Sequence, residues 1–141
     1  MTMERILTDE KLHLLKMFAD GANEVACTIH KLNDSKGFWD NRNELHDYAT
    51  ARFGVDYANY ILGSDCVALV HTELSEGVDA LRKPVFPICS TEKDSFGGEL
   101  ADAMIRIMDL AHRFDIPIGT AIARRVLHNS TRPHMHGGKV A

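Results

Sequence analysis

The first proline of this chain stands at residue 84, and throughout the stretch before it apolar side chains recur at intervals of three and four rather than two. Proline costs a helix interior about 3 kcal/mol, so the prolines at 84, 87, 117 and 133 mark where helices must stop or start. The spacing predicts a first helical region over Thr8–Leu32, with Phe18, Ala22, Val25, Ile29 and Leu32 on one face and Gly21 as a place to bend or split it. DSKGFWDNRN reads as a turn-rich link, Glu44–Phe53 as a short helix and Tyr57–Arg82 as the strongest helical signal. After the loop KPVFPICSTEKD comes a helix over Phe96–Phe114. Asp115 and Pro117 then suit the cap and first turn of a last helix that ends near Asn129. The expected fold is all-α, a helical bundle with a four-helix core.

With 141 residues, positions 1–141 read as one domain whose tail, 130–141, is irregular. A hydrophobic share of 45% beside 26% charged residues suits a globular chain with a buried core. No apolar run is long enough for a signal-peptide core or a membrane span, so the expected location is the cytoplasm, with no membrane partner. Cys27, Cys66 and Cys89 are odd in number and widely spaced, which fits neither a disulfide framework nor a zinc site; reduced thiols are expected. A net charge of −4 disfavours nucleic acid as a partner. Small phosphorylated ligands stay open, because a bound divalent cation inverts the sign of an acidic site.

Twenty Asp and Glu residues occur, and chance alone gives about three acidic pairs three positions apart. Four are present, at 44/47, 73/76, 76/79 and 99/102. Position, not spacing, singles two of them out. At about 100° per residue, Leu62, Cys66, Leu69 and Ala80 lie within about 40° of Glu73, so Glu73 stands inside an apolar stripe. Glu76 sits at the stripe's edge and Asp79 points outward. On the next helix, Glu99 and Asp102 flank an arc formed by Leu100, Ala103, Met104, Ile107, Leu110, Ala111 and Phe114. Two antiparallel helices burying these arcs bring Glu73, Glu76, Glu99 and Asp102 together, where repulsion is costly unless cations neutralise it. Oxygen ligands without Cys or His favour Mg²⁺, with Mn²⁺ as a substitute, and a partly hydrated Mg²⁺ commonly shares its sphere with substrate phosphates. The competing reading is a structural ion-pair network, since Arg106 and Arg113 project near the same border.

The string ALVHTELSEGVDALRK, followed by ELADAMIRIMDLA with 22 residues between Glu76 and Glu99, is similar to the ExxE and ExxD helices of MazG-like pyrophosphohydrolases, in the all-α NTP pyrophosphohydrolase superfamily. KGFWD at 36–40 and HNSTRPHMHGGK at 128–139 match further segments in the same order, so the resemblance covers roughly Ile29 to Lys139. It implies that Glu73, Glu76, Glu99 and Asp102 hold Mg²⁺ and that Glu73 and Glu76 serve catalysis. The implied reaction is water attack at the α-phosphorus of a (d)NTP, giving (d)NMP and pyrophosphate in nucleotide-pool housekeeping. A glutamate then acts as general base, without the sequence saying which. The resemblance also implies a homodimer or homotetramer, and apolar helix faces too extensive for so small a chain point the same way.

By the same resemblance His30 and Trp39 line a base pocket, indole stacking on the base and imidazole bonding its edge. Asn129 contacts the nucleotide, and Arg125, one turn earlier, meets a phosphate. Lys36, Arg132 and Lys139 are weaker phosphate candidates from their charge alone, the alternative for each being an ordinary surface cation. The alternatives are that Trp39 caps the bundle core with His30 solvated, and that His128, His134 and His136 form a transition-metal cluster. HGGK lacks the P-loop spacing. The stretch between KGFWD and the ExxE helix is longer than in compact relatives and the loop Lys83–Ser95 is individual, so the preferred base is open. Beside the enzyme stands a second hypothesis: a non-catalytic helical module using the same surface for oligomerisation or partner binding, its carboxylates in ion pairs.

Overall fold

Thr8 opens the first helix. Its hydroxyl accepts from the Lys11 N–H at 3.3 Å, Asp9 and Glu10 follow in the first turn, and α1 runs over Asp9–Ser35. The structure, a computed structural model, describes residues 7–132. Within them α2 spans Asp40–Phe53, α3 Val55–Arg82, α4 Phe96–Arg113 and α5 Ile118–Ser130. No strand occurs among the described residues, and the chain is all-α as expected. Gly21 does not split α1: a helical glycine costs about 1 kcal/mol, little beside the packing of α1 against both α4 and α5. No helix of the described residues is long and apolar enough to cross a membrane.

The link between α1 and α2 is tighter than the sequence suggests. Phe38 donates its N–H to the Asn33 carbonyl at 3.1 Å and Gly37 donates to Asp34 at 2.9 Å, which together form a Schellman turn. Gly37 takes a φ of 77°, the left-handed conformation that a side chain strains. This reversal points Trp39 inward at the head of α2. That helix starts at Asp40 rather than Glu44, with the Asp40 charge at the positive end of the helix. Gly54 alone separates α2 from α3.

A second expectation is corrected at the end of α4. Asp115 does not cap α5, which has no side-chain cap and follows Pro117 directly. It occupies the left-handed position of another Schellman turn, with φ 55°: Ile116 donates to the Ala111 carbonyl at 2.8 Å and Asp115 to His112 at 3.0 Å. Aspartate tolerates that conformation better than most residues.

α3 and α4 lie antiparallel, because the α3 backbone at Gly63 faces Phe114 while at Gly77 it faces Phe96 and Glu99. Ser95 fixes where α4 begins: its hydroxyl accepts from the Gly98 N–H at 3.1 Å and donates to the Glu92 carbonyl at 2.6 Å. α5 crosses α1 at Gly119, where a Cβ would come within 2.3 Å of the Ala19 carbonyl. The Gly119 N–H there donates to the Asn23 side chain at 2.8 Å.

Trp39, Leu62 and Cys66 form the core, with Leu110 and Phe114 against them. Elsewhere the buried positions are mostly alanines, among them Ala19, Ala22, Ala26, Ala58, Ala103, Ala111 and Ala123. The apolar arc expected on α4 is only partly covered. Ala103 and Ala111 are buried, but Leu100, Met104 and Ile107 remain 41–53% exposed, because the neighbouring helices reach one side of the arc only.

Candidate active site

Two turns before its C-terminus, α3 turns Glu73 into the interface with α4, where it is buried; Glu76, one turn on, is exposed. Glu99 enters from the first turn of α4 and is 6% exposed. One carboxylate oxygen from each of Glu73, Glu76 and Glu99 lies within 4.8 Å of the others. Asp102, one turn along α4, is exposed; it lines the same cavity as Glu73 without joining that triplet. The interface between α3 and α4 thus gathers the first three acids closely and keeps the fourth beside them.

Burial pushes the Glu99 carboxyl above the ordinary glutamate range, and Glu76, Glu73, Asp102 and Asp94 push it further. The N-terminus of α4 favours an anion here by about 0.3–1 kcal/mol, and burial with four nearby acids outweighs that. Arg106 supplies the one salt bridge to this group among the described residues, its Nε donating to Glu73 Oε1. The ion-pair network weighed as an alternative is therefore partly present. Arg113 stays out of it, reaching toward Asn43 Oδ1 at 3.4 Å.

From Glu73, Asp102 and Arg106 a cavity of about 290 Å³ extends past Ile105 and Leu69 to Asn33, Phe38, Trp39, Arg42 and Asp109. At this far end Asp109 is a second buried acid, in a different setting. His30 Nδ1 bonds its Oδ1 at 2.6 Å, Asn33 Nδ2 donates to its Oδ2 at 2.6 Å, and the Trp39 indole N–H is shared between both oxygens at 3.0 and 3.2 Å. A carboxylate only accepts, so the His30 proton sits on Nδ1 and the Asn33 nitrogen faces Asp109. The Asn33 oxygen is then left for the cavity. His30 also lies against the rings of Trp39 and His112, at 5.2 and 4.9 Å.

Trp39 and His30 do meet at one end of the cavity, but Trp39 is 4% exposed and belongs to the core. Its ring has little free face for stacking. The neighbouring Phe38, 61% exposed and lining the cavity, offers one. Burial pushes the Cys66 thiol above its ordinary range, and the opposing pull of Arg42 does not cancel it; the thiol packs in the wall as a neutral group. Lys36 is exposed at the C-cap of α1 and does not line the cavity. Arg125, Asn129 and Arg132 are exposed at the far end of the chain and do not line it either. The reason is that α5 docks through Gly119 and Thr120 against Ala19 and Asn23, well before His30 along α1. Lys139, His134 and His136 lie outside the described residues.

Sequence reasoning passed over Asp109, Asn33 and Phe38. One signal was available for Asp109: it stands seven residues after Asp102, about two helical turns, and so on the same face. Nothing in the sequence marks Asn33 or Phe38 apart from their place in KGFWD and just before it. Compared with protein-family models, with curated proteins and with solved structures, the chain matches none.

Proposed function

We propose that this chain is a MazG-like, Mg²⁺-dependent nucleoside triphosphate pyrophosphohydrolase. One observation carries the reading: a single cavity runs from Glu73 and Asp102, at the border of an acid cluster that has too few counter-ions among the described residues, to a pocket of aromatic and amide groups. Those are the surfaces that suit the two ends of a nucleoside triphosphate, one through cations and one directly. The order of the sequence motifs supports the same reading.

Glu73, Glu76 and Glu99 would hold the cation with Asp102 at its side, and the all-oxygen donor set together with the raised Glu99 carboxyl fits a hard divalent ion. When bound, Mg²⁺ neutralises phosphate charge and makes a coordinated water acidic enough to attack. Glu73 and Glu99 are both buried; Glu76, exposed beside them, is the group best placed to take a proton from the attacking water. At the other end Phe38 stacks on the base and the Asn33 amide, held by Asp109, bonds its edge. Cleavage at the α-phosphorus leaves a (d)NMP and pyrophosphate.

The test is pyrophosphate release from a panel of NTPs and dNTPs with Mg²⁺, comparing the intact protein with Glu73→Gln. Turnover that selects a base, and falls by more than about 100-fold in the variant, is the expected result. No metal-dependent turnover on any member would hand the acid cluster to the non-catalytic module.

The same reading includes self-association as a dimer or tetramer. Leu74, Val78 and Leu81 on α3, and Leu100, Met104 and Ile107 on α4, form exposed apolar stripes at helical spacing, the kind of surface a second copy buries. Light scattering that gives the monomer mass at micromolar concentration removes that part of it.

A further inference from the structure

We propose that Arg106 is a displaceable counter-ion of the cation site which, once displaced, becomes the ligand of the substrate's phosphates. The inference rests on the pyrophosphohydrolase reading and deepens it.

The pair between Arg106 and Glu73 is lopsided. The Glu73 side chain is 8% exposed and the Arg106 side chain 42%. Glu73 is held by the fold, whereas Arg106 reaches it from the open side and can leave without disturbing the core. Charge balance points the same way. Four carboxylates gather here against one guanidinium, and a divalent ion takes over the charge that Arg106 offsets. A displaced guanidinium then stays beside the cavity with its donors free.

Its place on α4 decides what those donors meet. Asp102, Arg106 and Asp109 all line the cavity from one helix face. At a rise of about 1.5 Å per residue, Arg106 stands about 6 Å beyond Asp102 on the way to Asp109. It lies between the acid end and the base pocket, where the phosphate nearest the sugar must pass. Arginine presents a planar fork of donors that suits a phosphate's paired oxygens. The other guanidinium in the cavity wall is already engaged: Arg42 Nε donates to Asp65 at 3.0 Å and Nη1 to the Phe38 carbonyl at 3.1 Å.

The experiment measures binding, without turnover, to the intact chain, Arg106→Met and Arg106→Lys. The probes are MgCl₂ alone and then pyrophosphate at saturating Mg²⁺, read by calorimetry and thermal shift. Removing the competitor tightens Mg²⁺ about fivefold in Arg106→Met, the upper range for a partly exposed ion pair, while pyrophosphate binds about tenfold more weakly. Arg106→Lys keeps the charge, so its Mg²⁺ affinity stays near that of the intact chain and its pyrophosphate affinity falls between the two. Mg²⁺ affinity unchanged or weaker in Arg106→Met would mean that Arg106 merely holds Glu73 in place, and pyrophosphate affinity unchanged would deny it the phosphate; either overturns this inference alone. No Mg²⁺ response in any of the three proteins overturns the cation site itself and this inference with it.

Discussion

Two acids of nearly equal burial stand on α4 in opposite settings: Asp109, at 8% exposure, lines the cavity, while Glu99, at 6%, sits behind Glu73 and Asp102 at its other end. Asp109 is surrounded by donors: His30, Asn33 and Trp39 all bond it. Glu99 is surrounded by other acids, Glu76, Glu73 and Asp102, and its carboxyl is pushed toward the protonated form. Burial alone therefore does not mark an acid as functional; what neutralises it does. The chain completes the Asp109 site by itself, and that site holds its neighbours in position. The Glu99 site is left short of positive charge among the described residues, where Arg106 is the one cation paired with its acids.

The largest expected effect tests the Asp109 half. Asp109→Ala leaves the buried Trp39 N–H and the part-buried His30 and Asn33 donors without their acceptor, and breaking a buried charged network by removing one partner costs about 3–5 kcal/mol. For a chain of this size the melting temperature falls by about 10 °C or more. Urea unfolding with an unchanged slope gives the free energy directly. A loss near zero would erase the difference between the two acids.

Mg²⁺ tests the other half. At a concentration one hundred times its dissociation constant it should raise stability by about 2.7 kcal/mol. The gain disappears in Glu99→Gln and survives in Asn33→Ala, because Asn33 belongs to the far end of the cavity. Equal gains in both variants would place the cation elsewhere. Without metal, Glu99→Gln should unfold later than the intact chain, opposite in sign to Asp109→Ala. Carboxylates within 4.8 Å of one another repel by about 3 kcal/mol per pair at an effective dielectric of 20. The exposed Glu76 is screened by water, so a net gain of about 1 kcal/mol is the expected outcome.

The helices were readable where local signals mark them: Thr8 before α1, Ser95 before α4, and prolines outside the described helix interiors. Glu73 was readable for the same reason, since an acid inside a 3.6-residue apolar stripe stands out against its own helix. Three of the four expected ligands indeed meet closely. Asp109 was missed because its meaning depends on partners 70 to 79 residues away, a separation that periodicity does not reach. For Trp39 the sequence leaves base pocket and bundle core both open; only the Schellman turn at Gly37 decides that the indole packs into the core while Phe38 stays exposed on the cavity. Arg125 and Asn129 on α5 do not line the cavity, for a different reason. Arg125 and Asn129 followed from motif order, but a motif does not say which face of a helix meets the site.

The smallest effect is the dependence on pH, and it isolates Glu99. Its folded-state carboxyl lies above the ordinary glutamate value, so between that ordinary value, about 4.3, and the raised one the folded chain binds more protons than the unfolded chain. Stability from this group is fully present below about 4.3 and is lost as pH rises through the raised value. Most paired carboxylates have the opposite sign, so the total profile mixes both. The informative quantity is the difference between the intact chain and Glu99→Gln, measured without metal by urea unfolding at a series of pH values. That difference should turn against the intact chain as pH rises toward neutrality. With Mg²⁺ present the turn should vanish, because the cation competes with the proton for the same oxygens. A flat difference without metal would mean that the acids around Glu99 do not act on it, and the contrast with the donor-surrounded Asp109 would be gone.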